Sequence, residues 1–272
     1  MNTRVTLHSP EQIARARAAG QRAAAVLQMI APYVQPGVST EELDQRCHDF
    51  IVNDLRCVPA NVGYHGFEKT LCTSVNHVVC HGIPSRQAVL KDGDIVNIDV
   101  AVVHEGWFGD TSRMYCVGTP SAAARRLVDT AYLAMRAGIL EVRPGATLGD
   151  VGNAIQNAAH HARFNVVREY GGHSIGTVYH GDLHVPNFGQ RGQGQRLEAG
   201  MVFTIEPMLN AGGRQVRELA DGWTVVTADR SLSAQWEHMV AVTDDGFEVL
   251  TPWPEGTGAY PAISGSAPAP CP

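Results

Sequence analysis

Four acidic residues stand in or beside apolar, β-forming runs of this 272-residue sequence, where a lone charge is costly. They are Asp99, Asp110, Glu206 and Glu237. Carboxylates in such surroundings need to be paired or bound to a metal ion. Together they carry about four negative charges, which two divalent cations would neutralise. The pattern is therefore consistent with a dinuclear metal site.

Asp99 and Asp110 are predicted to lie on one β-hairpin, with strands over 94–103 and 108–117 and a break at Glu105. Residues equidistant from a turn face each other, and a turn centred just before Glu105 makes the two aspartates direct cross-strand partners. Facing like charges are destabilising. Solvation on an exposed face, a shared proton or a bound divalent cation would each offset the repulsion, and the hairpin alone leaves all three open.

Three of the twelve histidines stand out, but only in combination with the acids. His173 has glycines on both sides, which let the backbone approach a crowded site closely. His180 follows seven positions later, and His81 stands in a turn fixed by glycine and proline. The other histidines fit ordinary surface or core positions.

The elements that must position these residues repeat along the chain. Residues 36–39 match 144–147 at an offset of 108, and residues 90–99 match 197–206 at an offset of 107. Two matches in the same order predict two related halves, each made of two helices and then strands. The halves would cover about 10–118 and 119–251 of a single domain spanning 1–251.

Capping-box pairs mark the start of three predicted helices, the first of which begins at Pro10. The pairs are Ser9–Gln12, Ser39–Glu42 and, as a weaker match, Thr147–Asp150. The segment 252–272, rich in proline, glycine, alanine and serine, is predicted to be poorly ordered.

Composition restricts the class of protein. The formal charge is -6, with 44% hydrophobic and 18% charged residues, which excludes wholesale disorder. The acid excess argues against DNA as a specific partner. No apolar run is long enough to span a membrane, and no secretory signal is evident. Six scattered cysteines favour free thiols in a reducing compartment, so we expect a cytoplasmic protein.

The motifs, taken in order, resemble those of type I methionine aminopeptidases, over about residues 10–251. They are Cys80–Pro84, Asp94–Asp99, Gly109–Ser112, Gly172–Gly176, Phe203–Met208 and Ser233–His238. The resemblance implies the pita-bread fold. This is an α/β (α+β) domain with two pseudo-symmetric halves around an antiparallel sheet and a dinuclear metal centre.

The same resemblance implies a ligand set of Asp99, Asp110, His173, Glu206 and Glu237 for two divalent cations. Asp110 and Glu237 would bridge both cations, Asp99 would hold one, and His173 with Glu206 the other. Cobalt, manganese, iron, zinc or nickel would suit these ligands. A monovalent cation, sodium or potassium, is implied at a further site formed by Asn76, Val78 and Ser233.

The implied activity is removal of the N-terminal methionine from nascent proteins and peptides that have a small second residue. A water bridging the metals would attack the first peptide bond. Glu206 would handle the proton, His180 the developing oxyanion, and His81 the substrate amide. These two histidines also belong to the implied substrate-binding residues, together with Tyr64, His65, Phe67, Cys72, Tyr179 and Trp223. The implied enzyme is a monomer that contacts ribosomes transiently.

Several positions depart from the family pattern. Ser174 stands where glycine is usual, beside the predicted ligand His173. Asn61 replaces a common cysteine or serine, and Glu68 a common proline. The segment 181–186 is less acidic than in the family. None of these changes removes a predicted ligand.

Four alternatives compete with this interpretation. Prolidase, aminopeptidase P and creatinase relatives share the fold but usually carry a large N-terminal domain. A type II enzyme would need an insertion between His173 and Glu237, which only 64 positions separate. A ribosome- or nucleic-acid-binding pseudoenzyme would typically have lost ligands. A calcium-stabilised domain is disfavoured by His173, since calcium prefers oxygen.

Overall fold

The computed structural model describes residues 5–253, 260 and 263, so most of the predicted tail lies outside the described residues. The α-helices are α1 (Pro10–Ile30), α2 (Thr40–Asp49), α3 (Ala122–Ile139) and α4 (Leu148–His161). Short helical turns cover Ala31–Tyr33, Phe50–Asp54 and Tyr64–Gly66. The strands are β1 (Val58–Pro59), β2 (Leu71–Val75), β3 (Val78–Cys80), β4 (Ile95–His104), β5 (Trp107–Cys116), β6 (Asn165–Val166), β7 (Gly172–His173), β8 (His184–Val185), β9 (Val202–Ile205), β10 (Met208–Asn210), β11 (Val216–Glu218), β12 (Val225–Thr227), β13 (Ser233–Gln235), β14 (His238–Val242) and β15 (Phe247–Val249).

The strands form small antiparallel sheets that isolated bridges join. In the largest sheet, β4 pairs with β5 on one side and with β1 and β2 on the other. The strands β9, β14 and β15 form a second sheet, and β6, β10 and β13 a third. A bridge between Ser112 and Glu237 connects β5 to the start of β14. The two sheets that carry the predicted acids are therefore continuous at the site.

The helices pack on one face of these sheets. Helix α1 packs on β4 and β5 and α2 on β2, while α3 packs on β9, β10 and β13 and α4 on β6. Ile98 and Val100 on β4 are fully buried in the first of these cores. Because side chains alternate along a strand, Asp99 between them points to the opposite face. None of the helices within the described ranges is both long and apolar enough to cross a membrane.

The helix starts confirm the predicted caps, with one change. Ser9 and Gln12 form a complete capping box before α1. The Ser39 hydroxyl accepts the Glu42 amide hydrogen, but the Glu42 carboxylate pairs with Arg46 (3.0 Å) instead of returning to the cap. Before α4, Thr147 and Asp150 make both reciprocal bonds. The pair that was predicted to be weaker is thus complete, whereas Ser39–Glu42 is not.

The predicted hairpin exists, but its predicted register is wrong. Glu105 and Gly106 both have positive φ (49° and 79°), so they form a two-residue turn of type I′. The turn centre lies one residue later than predicted, which makes Ser112 the partner of Asp99 and Ala101 the partner of Asp110. Since the partner shifts by two positions, both acids stay on one face as diagonal neighbours.

The segments that matched in sequence make the same backbone bonds. The Gly37 amide donates to the Leu90 carbonyl (2.8 Å), and the Gly145 amide donates to the Leu197 carbonyl (2.9 Å). Each leucine amide donates in turn to the residue after that glycine. These paired bonds support the proposal that the chain contains two related halves.

Candidate metal centre

The predicted metal ligands come together on one wall of a cavity. Ligand atoms of Asp110, His173 and Glu237 all lie within 4.8 Å of one another. The His173 Nε2 atom is 3.4 Å from Asp110 Oδ2 and 3.7 Å from Glu206 Oε1. Asp99 lines the same cavity. Five side chains of ligand type from four separate parts of the chain therefore converge.

Backbone pairing fixes the two glutamates. Ile205, just before Glu206, pairs with His238, just after Glu237, so the β9–β14 ladder places the two acids side by side. The Glu237 amide donates to the Ser112 carbonyl (3.1 Å). Its carbonyl accepts a hydrogen bond from Thr111 Oγ1 (2.7 Å). The Glu237 backbone is therefore tied to the strand that carries Asp110.

His173 is held by its backbone and by one ring nitrogen. The Thr204 hydroxyl accepts the His173 amide hydrogen (3.0 Å) and donates to Glu206 Oε1 (2.9 Å). A β-carbon at Gly172 would lie 2.1 Å from the Thr204 carbonyl, so only glycine allows this approach. The His173 Nδ1 atom lies 3.2 Å from the Ser174 carbonyl. A carbonyl can only accept, so Nδ1 carries a proton, and Nε2 is the ring atom that faces the acids and could bind a metal ion.

The electrostatics of the cluster favour a cation. Burial, followed by the neighbouring carboxylates, raises the pKa of Asp99 and of Glu237 well above the usual range. Burial also raises the pKa of Glu206 to about 7, although His173 opposes this shift. Burial alone would lower the pKa of His173, but Asp110 and Glu206 outweigh it and raise that pKa.

One buried atom tests whether these residues fit a metal ion. Asp110 is 3% exposed, and its Oδ1 atom has no hydrogen-bond partner among the described residues. A buried carboxylate oxygen without a donor is costly. Divalent cations accept this combination of carboxylate oxygens and one imidazole nitrogen. The cluster therefore fits the divalent cations that the sequence predicted.

The cavity has a volume of about 340 Å³, within the range typical of small-molecule sites. Besides the five candidate ligands, its predicted lining residues are Tyr64, Phe67, Cys72, His81, Tyr179, His180 and Trp223. Asn61 also lines it and accepts the Tyr179 hydroxyl hydrogen (2.7 Å). His65 has a left-handed backbone (φ 46°) and an exposed side chain that packs on the lining residue Tyr64, and its predicted role in substrate binding stays a prediction.

Two further predicted histidines face the cluster from loops. The His180 ring packs 4.1 Å from the His173 ring and 4.1 Å from the Tyr179 ring. Burial and then the His173 charge lower the pKa of His180 to about 4, so its ring is neutral at pH 7. Burial lowers the pKa of His81, which Asp110 only partly offsets. Both rings can therefore donate one hydrogen bond as neutral imidazoles.

Five further lining residues are not among the predicted site residues: Glu169, Tyr170, Gly171, His184 and Met208. Met208 lies two positions after Glu206, so a period of two could have placed it on the same face. Tyr170 adjoins the glycines before His173. His184 lines the cavity because β8 pairs with β7 and sets it opposite His173, a contact that no local pattern predicts.

Ser174 does not crowd the cluster. Its hydroxyl accepts the Leu183 amide hydrogen (3.3 Å), and its backbone carbonyl accepts the Gly181 amide hydrogen (2.8 Å). The side chain therefore belongs to the loop beyond His180. The serine that departs from the family pattern supports this loop and leaves the five candidate ligands in place.

The residues of the predicted monovalent-cation site lie at the strand ends beyond the cavity. The Asn76 carbonyl accepts the Ser233 amide hydrogen (2.8 Å). Val78, which begins β3, pairs with Val226. Asn76 and Ser233 are thus neighbours, and the cation site stays a prediction.

A β-strand scaffold with a carboxylate and histidine cluster at a closed-in cavity is typical of metallohydrolases. The model of metallopeptidase family M24 matches residues 14–244, so this chain belongs to that family.

Among its relatives, the methionine aminopeptidase of Escherichia coli K12 is 51% identical over 251 residues, covering 91% of this chain and 94% of the relative. The crystal structure of methionine aminopeptidase from Rickettsia prowazekii is 50% identical, covers 91% of this chain and 99% of that one, and has a TM-score of 0.89.

A prolidase from Pyrococcus furiosus shares the fold at a TM-score of 0.70, with 18% identity and 65% of its chain covered. The predicted fold class is thereby confirmed: it is the mixed α/β fold of this family, shared by both kinds of enzyme.

Proposed function

We propose that this chain is a methionyl aminopeptidase, a metal-dependent exopeptidase that removes the N-terminal methionine from nascent proteins and peptides with a small second residue. The observation that carries the proposal is the convergence of four carboxylates and one imidazole beside an aromatic cavity. Relatives about half identical over nine-tenths of the chain are named for this activity.

The proposed cofactor is a pair of divalent cations, drawn from cobalt, manganese, iron, zinc or nickel. Asp99, Asp110, His173, Glu206 and Glu237 would hold the pair. When bound, the cations would polarise the scissile carbonyl and acidify the attacking water. The free α-amine of the substrate can reach the same centre, which would confine cleavage to the first residue.

Glu206 is the proposed proton carrier. A carboxylate beside the attacking water can take its proton and return it later in the reaction. The Glu206 Oε1 atom already accepts the Thr204 hydroxyl hydrogen (2.9 Å) and its Oε2 atom a hydrogen of the Gln235 amide (3.3 Å). These donors orient the carboxylate toward the cluster, where it would take a proton from water and deliver it to the leaving amine.

The two neutral histidines have separate proposed tasks. His180 packs against His173, so its ring N–H would donate to the carbonyl oxygen as negative charge develops there. His81 lies between Tyr170 (5.7 Å) and Trp223 (6.3 Å), measured between ring centroids. From that position it would contact the amide on the leaving-group side.

Aromatic rings form the proposed methionine pocket. The Phe67 and Trp223 rings meet edge to face at 4.9 Å, and Tyr64 meets Tyr179 in the same way at 5.0 Å. Cys72 adds a small apolar surface. Such a pocket suits an unbranched thioether, because sulfur makes favourable contacts with ring edges.

The wider setting is also a proposal. The substrates would be nascent chains in the cytoplasm, met through transient contact with ribosomes by a monomeric enzyme. One sodium or potassium ion would bind near Asn76, Val78 and Ser233 and brace the strand ends beside the cavity.

A peptide cleavage assay tests the proposed activity. Metal-free protein is titrated with Co(II), Mn(II) and Fe(II) on Met-Ala-Ser and Met-Lys-Ser peptides. We expect metal-dependent release of methionine from the first peptide only. Glu206→Ala should abolish it, while the exposed Glu198→Ala serves as the matched control. Cleavage of an X-Pro peptide instead would move the chain to the prolidase branch of the fold, and no cleavage with any metal would contradict the proposal.

A further inference from the structure

The described residues beyond β15 pack behind the two neighbours of Glu237, Trp236 and His238. We call residues 251–253, 260 and 263 the C-terminal clasp. Trp253 is buried, and Tyr260 and Ile263 pack against the core that α3 forms with the sheets. Residues this far beyond the final strand have no role in completing a sheet, so their contacts require another explanation.

Thr251 fixes His238 at one end of the clasp. Its Oγ1 atom accepts the Met239 amide hydrogen (3.1 Å) and lies 3.0 Å from His238 Nδ1. The hydroxyl oxygen therefore contacts both the Met239 backbone and the His238 ring, and it holds the ring in one orientation. The Trp253 ring then packs on the His238 ring at 4.1 Å.

Tyr260 fixes Trp236 at the other end. The Tyr260 ring lies 4.7 Å from the Trp236 ring and 4.8 Å from the Tyr132 ring of α3. Its hydroxyl donates to the Asp129 carboxylate on the same helix. The Trp253 ring lies 5.1 Å from Trp236 and joins the two ends.

The clasp therefore contacts the two residues that flank Glu237 in the chain, Trp236 and His238. Side chains alternate along an extended backbone, so these two point away from the cavity while Glu237 points into it. Trp236 keeps a second anchor, since its Nε1 atom donates to the Val128 carbonyl (2.9 Å). Loss of the clasp should then loosen the Glu237 segment without unfolding it.

We propose that Trp253 and Tyr260 are positioning residues for the carboxylate of Glu237, so that the C-terminal clasp sets the affinity of the metal centre. The inference rests on the proposed ligand role of Glu237. Supports behind metal ligands typically change metal affinity by about 10- to 100-fold when they are removed. The clasp touches no substrate-facing residue, so substrate binding should be unaffected once metal is saturating.

The test is Mn(II) binding to the full-length, metal-free protein by isothermal titration calorimetry. We expect Tyr260→Ala and Trp253→Ala to raise the Kd for Mn(II) by about tenfold. Tyr260→Phe keeps the ring contacts and should restore most of the affinity. At saturating Mn(II), the KM for Met-Ala-Ser should equal that of the wild type. Tyr33→Ala, at an exposed tyrosine, is the matched control.

Two results would overturn the inference, and they differ. If Tyr260→Ala and Trp253→Ala lower Tm but bind Mn(II) with the wild-type Kd, the clasp is only a structural brace. If the wild type itself binds no divalent cation, the proposed function fails first. Should the alanine variants fail to fold, Trp253→Phe and Tyr260→Phe decide the question: a Kd raised several-fold in Trp253→Phe supports the inference, and wild-type values in both variants contradict it.

Discussion

The two sides of the cavity are built in different ways. On the carboxylate side, Asp99 and Asp110 stand on paired strands, and Glu206 and Glu237 stand at matching ends of the β9–β14 ladder. On the histidine and aromatic side, the residues come from loops, and His81 has a left-handed backbone (φ 56°). Hydrogen-bond ladders thus place the acids, whereas ring packing places the groups proposed to meet substrate.

The two sides of the cavity should therefore respond differently to side-chain substitutions. A ladder holds each acid through backbone hydrogen bonds, which a side-chain substitution leaves intact. Variants at these positions should therefore lose a negative charge while the strands stay paired. A loop residue such as His180 is held by its ring contacts with His173 and Tyr179, so its removal changes both chemistry and packing. The following substitutions and conditions test this contrast, from the largest expected effect to the smallest.

Asp110→Asn should have the largest effect. It removes one negative charge from the centre of the cluster while the β4–β5 ladder stays formed. We expect kcat/KM on Met-Ala-Ser to fall by at least about 10³-fold, because metal-ligand loss removes most of the transition-state stabilisation. Calorimetry should show weakened Mn(II) binding at an almost unchanged Tm. Asp244→Asn, an exposed control, should match the wild type, and equal Mn(II) binding in both variants would contradict the ligand assignment.

His180→Ala should lower kcat by about 10²-fold, the range seen when one oxyanion donor is removed. Mn(II) affinity should stay within about threefold, since the ring is not a proposed ligand. The control is His160→Ala, at an exposed histidine of α4 whose loss should leave kcat/KM unchanged. A wild-type kcat in His180→Ala would contradict the proposed oxyanion role.

The pH dependence of the free energy of unfolding tests whether the acids of the cluster are buried or solvated. Because the folded-state pKa of Glu206 is raised to about 7 from an ordinary 4.5, its stabilising contribution in metal-free protein is complete below about pH 4.5. That contribution is lost as the pH rises through 7, and the difference is worth ~3 kcal/mol in total. Bound cations prefer the ionised form and remove this loss.

Scanning calorimetry checks this expectation. The Tm of metal-free protein should fall between pH 5 and 7.5, and the Tm gain on adding Mn(II) should grow over the same interval. Glu206→Gln should flatten the metal-free profile. A metal-free Tm that rises across this interval would mean that the acids are solvated.

Ser174→Gly tests whether a substitution on the loop side of the cavity leaves the metal ligands undisturbed. The substitution removes the hydroxyl that accepts the Leu183 amide hydrogen and adds backbone freedom. We expect a loss of about 1 kcal/mol, read as a Tm lower by about 2–4 °C. Mn(II) affinity should stay within about threefold, and a larger change would place Ser174 among the supports of His173.

Glu105→Gly should have the smallest effect and the opposite sign. Glu105 holds a positive φ in the type I′ turn, a conformation that glycine adopts without strain. We expect stabilisation by about 0.5–1 kcal/mol, measured as a higher denaturation midpoint in urea, with unchanged activity. The neighbouring Gly106→Ala should destabilise the same turn. If Glu105→Gly lowers the free energy of unfolding, then relief of the positive φ at Glu105 does not stabilise the β4–β5 hairpin.

Much of the carboxylate side could be predicted from sequence because its signals are local. Alternation of apolar residues gave strands β4, β5, β9 and β14, and the capping pairs gave the starts of α1, α2 and α4. The hairpin error was small but instructive. The position of Glu105 and Gly106 was recognised, yet their turn type, which sets the register, depends on two backbone angles and not on composition.

Less of the loop side followed from sequence. The role of His65 in the pocket rests on resemblance alone and stays a prediction, whereas His184 lines the wall without any local signal. The position of His184 does not depend on its residue type. It follows from the pairing of β8 with β7, which contacts with distant segments decide.

The sequence by itself determined the ingredients: four acids in apolar surroundings, a histidine among glycines, two repeated segments and the helix starts. Local steric and hydrogen-bonding preferences fix these features. Only the tertiary structure decided which side chains meet, the diagonal placement of Asp99 and Asp110, and the packing of Trp253 and Tyr260 behind Glu237. Those contacts join residues more than a hundred positions apart in places, and they form because burying apolar rings and pairing strands stabilises the whole chain at once.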